Sequence, residues 1–323
     1  MAKFPTYDQL ERRGEANLPV SWGVFGEGDQ LGTLNHITDE TARAAAALVR
    51  RGARFNLNLP LHVPFGEIHP QAHVRRGAPT QTLFAYERGH VLIRDDKLDG
   101  FFLQGSTQWD GLTHIGDREL GLFYNGVTPE QITQREGTRN GIEHLAAHGI
   151  VTRGVLVDLV RHFAAEGRGW DVMAQQTASA DDLRACLERQ KVALLPGDVL
   201  LVRQGWLSAF RAAADRDARD ALLRPWTFSG VSGGEDLWRL LWDQRVAAIA
   251  SDSLAVEVWP IPDGTPGLHL AIPRLGLTLG EMFDLDALAD DCHADGRYTC
   301  LFVSSPLNLR GGVGSPPNAL AVK

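Results

Sequence analysis

The feature that most constrains the fold is the alternation, in the second half of the chain, of short apolar runs with amphipathic segments. Apolar runs of buried-strand length occur at 154–160 (GVLVDLV), 198–203 (DVLLVR) and 246–251 (VAAIAS). Patterns typical of capped helices separate them at 179–191 and 233–245. Strands that alternate with helices form α/β structures around a largely parallel sheet.

The first half of the chain has a different pattern, in which several strand-like segments follow one another. They lie at 54–63, 90–96 and 101–110, and the sequence KLDG at 97–100 predicts a turn between the last two. A helix is predicted to begin after the cap residue Thr38 and to end near Gly52. Together the two halves predict an α/β or α+β fold with a mixed sheet.

No repeat, low-complexity linker or change in composition divides the chain. We therefore predict a single domain over 1–323, with an irregular N-terminal segment at about 1–37. The formal net charge of −8 and the pI of about 5.8 argue against a nucleic-acid partner, which needs clustered cations. The beginning of the chain does not resemble a signal peptide, and no apolar run is long enough to cross a membrane, so we expect a cytoplasmic protein.

Three cysteines, Cys186, Cys292 and Cys300, are too few and too scattered for a disulfide framework or a cysteine-based zinc site. They are typical of buried thiols in a reducing compartment.

A dense polar segment, QGSTQWDGLTH, occupies 104–114. Alternate side chains of an extended strand share a face, so one face would carry Gln104, Ser106, Gln108 and Asp110, with Trp109 on the other. Gly111 allows a turn that could return His114 toward Asp110. This segment alone is equally compatible with a satisfied hydrogen-bond network and with a functional site.

A second segment favours the functional interpretation. His269 lies alone among apolar residues, and Glu281 follows twelve positions later. Taken singly, each has an ordinary structural explanation, as a core histidine and a helix-start carboxylate. Together with Asp110 and His114 they could supply two carboxylates and two imidazoles, which is the ligand set of a hydrolytic metal site.

These segments resemble the metal-dependent cyclase and kynurenine formamidase family, which includes isatin hydrolase-like enzymes. Its motif H-x-G-T-H-x-D-x-P-x-H aligns without gaps on 104–114, so that the final Asp and His fall on Asp110 and His114. The family's later His and Glu, twelve residues apart, correspond to His269 and Glu281 in HLAIPRLGLTLGE. Three further stretches also resemble family strands: PGDVLLVRQGW, GVLVDLV and VAAIASDS. The resemblance extends from about Trp22 to about Pro306.

The resemblance implies a swivelling β/β/α fold, a divalent metal and a homodimer or homotetramer. The chain departs from the motif because Gln104 and Gln108 stand where the family has two histidine ligands. An amide oxygen is a harder and weaker ligand than an imidazole, so the departure favours Mn²⁺ over Zn²⁺. The expected ligands are Asp110, His269, Glu281 and Gln108.

The activity implied is hydrolysis of a C–N bond in a small formamide, amide or cyclic amide, with catalytic roles for His114 and Glu281. His114 is expected to be either the acid–base group or a further ligand. Two alternatives remain: a metal-dependent lyase, dehydratase or cyclase, and a small-molecule binder without catalysis. The candidate substrate-binding residues are Gln104, Trp22, Phe25 and Trp206.

Overall fold

A nine-stranded mixed sheet forms the centre of the molecule in the computed structural model, which describes residues 4–70 and 76–323. The strands in these ranges are β1 (Glu11–Arg13), β2 (Leu18–Val20), β3 (Arg54–Asn56), β4 (Thr80–Arg88), β5 (Val91–Asp99), β6 (Gln108–Asp110), β7 (Ile150–Asp158), β8 (Thr177–Ala178), β9 (Val199–Arg203), β10 (Gly230–Val231), β11 (Ala248–Ser251), β12 (Thr278–Glu281), β13 (Thr299–Ser304), β14 (Gly314–Ser315) and β15 (Leu320–Val322).

The helices in the same ranges are α1 (Asp39–Ala46), α2 (Ile142–His148), α3 (Leu159–Ala165), α4 (Ala180–Arg189), α5 (Trp206–Ala212), α6 (Arg216–Leu223), α7 (Glu235–Asp243), α8 (Ala271–Leu275) and α9 (Asp286–Asp295). None of the helices in the described ranges is long and apolar enough to cross a membrane.

The large sheet has the strand order β14-β6-β12-β11-β9-β7-β13-β15-β3. Its four central strands, β12, β11, β9 and β7, are parallel, and the strands on either side are antiparallel. The apolar runs predicted as buried strands form β7, β9 and β11 at this centre. The mixed α/β class predicted from the sequence is therefore confirmed.

Helices cover both faces of the sheet, because successive side chains of its central strands point in opposite directions. Val155 and Val157 of β7 pack in one core cluster with residues of α3, α4 and α7. Leu156, between them, packs in a second cluster with residues of α2 and α9. Parallel strands that are buried on both faces explain why the central runs are continuously apolar.

Several of the predicted boundaries are wrong. Thr38 caps α1 as expected, accepting a hydrogen bond from the Thr41 backbone N–H, but the helix ends at Ala46, before Gly52. The segment KLDG is not a turn, because β5 continues through it to Asp99. The chain reverses instead at Gly89, whose φ of +59° suits glycine, so that β4 and β5 pair over nine positions.

The strand predicted at 101–110 is also shorter than expected, since only Gln108–Asp110 is extended and paired. Side-chain hydrogen bonds hold the residues before it in a loop. Ser106 Oγ donates to the Pro60 carbonyl at 3.0 Å, and Thr107 Oγ1 donates to the Met282 carbonyl at 2.6 Å. Such side-chain contacts with the backbone compete with strand pairing. Similarly, only Arg54–Asn56 of the strand predicted at 54–63 is extended and paired.

Candidate metal centre and cavity

The candidate site lies at the edge of the parallel strands, where antiparallel β6 pairs with β12. The register places Gln108 directly opposite Glu281 and Asp110 opposite Leu279. Because side chains alternate along a strand, Gln108 and Asp110 share a face with Glu281. Trp109 points to the other face, where its ring packs on Phe283 and its Nε1 donates to Ser304 Oγ at 2.9 Å. The alternation predicted for these three residues is confirmed.

Asp110, His269 and Glu281 come together at this point although they belong to distant parts of the chain. His269 Nε2 lies 3.2 Å from Glu281 Oε1 and 3.6 Å from Asp110 Oδ2. One ligand atom from each residue can be chosen so that all three lie within 4.8 Å of one another. Both carboxylates are buried, and the imidazole is half-buried. This geometry brings together the three residues that the sequence proposed as principal ligands.

Glu257 fixes the orientation of His269. Its Oε1 lies 2.6 Å from His269 Nδ1 and accepts the His269 backbone N–H at 3.1 Å, while Oε2 accepts the Leu268 backbone N–H. A carboxylate beside Nδ1 favours a proton on that nitrogen, so Nε2 is the nitrogen that faces Asp110 and Glu281 and could bind an ion there. Metal-binding histidines are held in the same way by a carboxylate behind the ring.

Sequence reasoning missed Glu257. The available signal was a single carboxylate within the apolar stretch 254–259, which is the same kind of signal that singled out His269.

Gln108 bridges the two carboxylates through its amide nitrogen. Nε2 donates to Glu281 Oε2 at 2.6 Å and to Asp110 Oδ1 at 3.3 Å. Its buried oxygen Oε1 has no hydrogen-bond partner among the described residues, and neither has Asp110 Oδ2. An orphaned carboxylate oxygen, Asp110 Oδ2, in a buried group with a second carboxylate is an arrangement that a cation would satisfy.

The charges of the group explain its pKa shifts. Burial raises the pKa of Glu281, and the nearby negative charge of Asp110 raises it further. Burial alone would raise the pKa of Asp110, but the imidazoles of His114 and His269 outweigh this effect and lower it. Burial would lower the pKa of His269, but its hydrogen bonds to the surrounding carboxylates bring it well above its usual value. The group thus attracts positive charge, whether a proton or a cation.

His114 lies beside the group, as the turn at Gly111 predicted. Its Nε2 is 3.6 Å from Asp110 Oδ1, and 19% of its side chain is exposed. It lines the cavity that opens over Glu281 and His269. His114 therefore faces both the carboxylates and the space available to a substrate.

This cavity has a volume of about 410 Å³ and is mainly apolar. Its aromatic walls are Phe65, Trp226, Phe228 and Trp259, and its aliphatic lining includes Ile115, Leu254 and Ile261. Arg76 adds a guanidinium group, which donates to the Gln104 carbonyl at 2.8 Å. An apolar cavity with a few polar groups at one end is typical of a small-molecule site.

The structure does not bring the candidate aromatic residues to this cavity. The Trp22 ring donates to the Pro273 carbonyl at 2.8 Å, and Phe25 packs against Phe4 and Trp242. Trp206 is buried in the core cluster that also contains Phe65 and Phe228, so it packs behind the cavity wall. The side chains that do form the wall were not singled out from the sequence, because ordinary core aromatics give the same local pattern.

Gln104 lies near the cavity through its backbone, whose carbonyl binds Arg76. Its side-chain Nε2 is buried without a hydrogen-bond partner among the described residues. The Gln104 side chain lies against Gly314. A Cβ added at that glycine would come within 2.6 Å of Gln104 Nε2. Gln104 is not part of the cavity lining in the described ranges.

Comparison with known proteins agrees with this architecture. A model of the Cyclase family, described as "Putative cyclase", matches residues 60–258. A solved structure described as that of a novel cyclase is 34% identical, with 94% of this chain and 99% of the other covered and a TM-score of 0.81. The chain belongs to the Cyclase family. Its fold is therefore the swivelling β/β/α type expected from the resemblance.

More distant structures share the fold. Isatin hydrolase A from Labrenzia aggregata is 15% identical with a TM-score of 0.53, covering 86% of this chain and 94% of its own. Isatin hydrolase A from Ralstonia solanacearum is 16% identical with the same TM-score, covering 89% and 98% respectively. No curated protein matches the chain.

Proposed function

We propose that this member of the Cyclase family is a metal-dependent hydrolase of a C–N bond in a small formamide, amide or cyclic amide. The observation that carries the proposal is the meeting of Asp110, His269 and Glu281 beneath an apolar cavity. Membership of the family supports an enzyme, and the fold is compatible with hydrolysis because isatin hydrolases share it.

The residues present fit a single hard divalent ion. Asp110, His269 and Glu281 would hold it, and Gln108 could add its amide oxygen after half a turn of its terminal torsion. Two carboxylates, one imidazole and an amide favour Mn²⁺ or Mg²⁺ over Zn²⁺. When bound, such an ion lowers the pKa of a water molecule and polarises a carbonyl group.

The side chains around the ion would perform the remaining work. His114, beside Asp110 and open to the cavity, would take a proton from the attacking water and return it to the leaving nitrogen. Glu281 would contribute to catalysis by holding the ion at the edge of the cavity. The aromatic walls would exclude solvent and hold the apolar part of the substrate, and Arg76 would orient its polar end.

Metal binding and turnover together test the proposal. We expect the wild-type protein to bind one Mn²⁺ per chain in calorimetry and to bind Zn²⁺ less tightly than a Gln104→His/Gln108→His variant. Asp110→Ala and Glu281→Ala should each lose the ion, whereas Asp181→Ala, which removes an exposed carboxylate on α4, should bind as the wild type does. If the Asp110→Ala/Glu281→Ala double variant keeps its ion, the ligand assignment is wrong.

A panel of formamides, amides and lactams then tests the reaction. Hydrolysis in the presence of Mn²⁺ should incorporate one oxygen from labelled water into the acid product. A product formed without gain of water would indicate a lyase or cyclase instead, and binding without turnover would indicate a non-catalytic binder.

A further inference from the structure

The guanidinium group of Arg76 has an unused edge. Arg76 is half-buried, and no other arginine or lysine of the described residues lines the cavity. Its Nη1 donates to the Gln104 carbonyl at 2.8 Å. Nε and Nη2, which share the other edge of the group, donate to no acceptor among the described residues. The cavity wall therefore contains a pair of parallel N–H donors without a partner.

Arginines that are similarly withdrawn from solvent elsewhere in the chain are paired with carboxylates. Arg153 Nη2 lies 2.6 Å from Asp198 Oδ2, and Arg203 Nη1 lies 3.2 Å from Asp158 Oδ1. Arg76 has no such ion pair within the ranges that the structure describes. Because burial removes hydration from a cation, an unpaired guanidinium group in a cavity is suited to bind an anion from solution.

The carboxylates of the candidate metal centre do not neutralise Arg76. Burial raises the pKa of Glu281, and His269 opposes this effect more strongly than Arg76 does. Burial would also raise the pKa of Asp110, and here too His114 and His269 each have a stronger lowering effect than Arg76. Arg76 thus influences both carboxylates weakly and without contact, so its charge remains available to a ligand.

A carboxylate matches the free edge of Arg76. Its two oxygens can accept from Nε and Nη2 at once, which is the bidentate geometry that arginine favours. The apolar walls would hold the rest of the molecule. A phosphate monoester fits less well, because it would bring a second negative charge into a cavity that already borders Glu257 and Glu281.

The cavity offers no equivalent partner for an ammonium group. The carboxylates among its described lining residues are Glu257 and Glu281. Glu257 is engaged by the His269 ring and the Leu268 backbone N–H, and Glu281 is engaged by Gln108 and His269. A substrate ammonium group would therefore lose its hydration without gaining a carboxylate partner.

We propose that the cavity selects substrates that carry a carboxylate and no ammonium group, and that Arg76 is the residue that binds this carboxylate. The proposal rests on the function proposed above, since it names the substrate class of the same site. It assigns Arg76 to substrate selection, whereas the carboxylates and imidazoles beside it hold the ion and move protons.

Three probes with one carbon skeleton test the selection without turnover. Hydrocinnamate carries a carboxylate, phenylalanine adds an ammonium group to it, and hydrocinnamamide is neutral. In calorimetry with the Mn²⁺-loaded protein at neutral pH, hydrocinnamate should bind about 10- to 100-fold more tightly than either of the others, as expected for hydrogen bonds to a charged group. Wild-type protein that binds all three equally would overturn the proposal.

Substitutions separate Arg76 from the ion, which also attracts carboxylates. Arg76→Gln should lower the affinity for hydrocinnamate relative to that for hydrocinnamamide by about 10- to 100-fold. Arg76→Lys, which keeps the charge but not the paired donors, should give an intermediate ratio. Arg43→Gln, at an exposed arginine on α1, should keep the wild-type ratio. An unchanged ratio in Arg76→Gln would refute the assignment, and binding of hydrocinnamamide by that variant confirms that its cavity is folded.

Hydrolysis of a matched pair of formamides then separates this proposal from the proposed reaction. Only para-formamidobenzoate carries a carboxylate, whereas formanilide is neutral. Arg76→Gln should lower kcat/KM for para-formamidobenzoate by about 10- to 100-fold more than for formanilide. Equal losses for the two substrates would overturn the role of Arg76 while leaving hydrolysis established. If neither is hydrolysed, formamide hydrolysis is contradicted, and the affinity ratio of the probes still decides the role of Arg76.

Discussion

Two carboxylates that share a buried site repel each other unless a proton or a cation lies between them. Asp110 and Glu281 are in this situation, and the chain surrounds them with an imidazole, His269, and an amide, Gln108. The amide nitrogen contributes hydrogen bonds but no charge. The negative charge of the pair therefore remains available to an ion.

His114 is the residue whose role is most directly testable by kinetics. General acid–base catalysis contributes about 10²- to 10⁴-fold, so His114→Ala should lower kcat by that order while the metal stays bound. His148→Ala, which removes an exposed histidine on α2, is the matched control and should keep wild-type turnover.

His114→Asn distinguishes catalysis from a structural hydrogen bond. If His114 only fills a hydrogen-bond position near Asp110, the asparagine variant should retain near-normal kcat and differ mainly in Tm. Near-normal turnover of the metal-bound His114→Ala protein would contradict the catalytic assignment.

At the scale of secondary structure, the site depends on close packing between neighbouring strands. Gly280 of β12 lies between Leu279 and Glu281, and a Cβ there would come within 2.7 Å of Ala250, Phe283 and Trp109. All three neighbours are buried, so none can move freely. Glycine at this position leaves space over β12 that the Trp109 and Phe283 rings and the Ala250 methyl group fill.

Gly280→Ala should therefore destabilise the protein by about 1–3 kcal/mol, because the added methyl overpacks the core. The measurement is the urea midpoint at constant m-value. Gly169→Ala is the control, since a Cβ there meets no heavy atom within 4 Å, and it should change stability by less than about 0.5 kcal/mol. Equal midpoints for the two variants would show that these side chains can move aside without cost.

The central strands could be predicted from sequence because burial on both faces leaves a continuous apolar signal, as in 154–160. The elements around the site could not be predicted equally well. The segment before Gln108 has the pattern of a strand, but distant partners such as Pro60 and Met282 hold it in a loop. The prediction ends the strand that corresponds to β5 at Asp96, because the sequence KLDG has the composition of a turn. In the structure, pairing with β4 continues this strand to Asp99.

The site itself was partly predictable, because burial makes its polar residues stand out against an apolar sequence background. Asp110, His269 and Glu281 are polar residues in apolar surroundings, and the family resemblance related them to one another. The cavity wall is formed by residues such as Trp226 and Trp259, which approach the site only through the tertiary fold. Local sequence carries no sign of that proximity.

At the scale of the whole molecule, one half-buried, neutral histidine should make a contribution to stability that is lost on the acid side. Burial, with a smaller contribution from Arg245, lowers the pKa of His36 to about 4. The unfolded chain takes up this proton near pH 6.5, so the stabilisation is present above pH 6.5 and is lost as the pH falls to about 4. At about 1.4 kcal/mol per pH unit, this group contributes up to about 3 kcal/mol.

Replacing the imidazole should remove that part of the pH dependence. His36→Phe keeps an aromatic ring beside Phe4 and Phe25, and its free energy of unfolding, measured relative to that of the wild type, should increase as the pH falls from 6.5 to 4. His148→Gln should show the same dependence of the free energy of unfolding on pH as the wild type. If His36→Phe has the same slope as the wild type, His36 is not the group responsible.

The pairing of β6 with β12 also limits how the length of this chain can change during evolution. A single inserted residue between Thr107 and Gly111 would turn Asp110 toward the core and Trp109 toward the cavity, because the side-chain repeat is two. Compensating substitutions could not repair such a shift one residue at a time. The tip of the hairpin formed by β4 and β5, at Gly89 and His90, has no such restriction. Insertions and deletions should therefore accumulate at this tip, while the segments that carry Asp110 and Glu281 change in composition and keep their length.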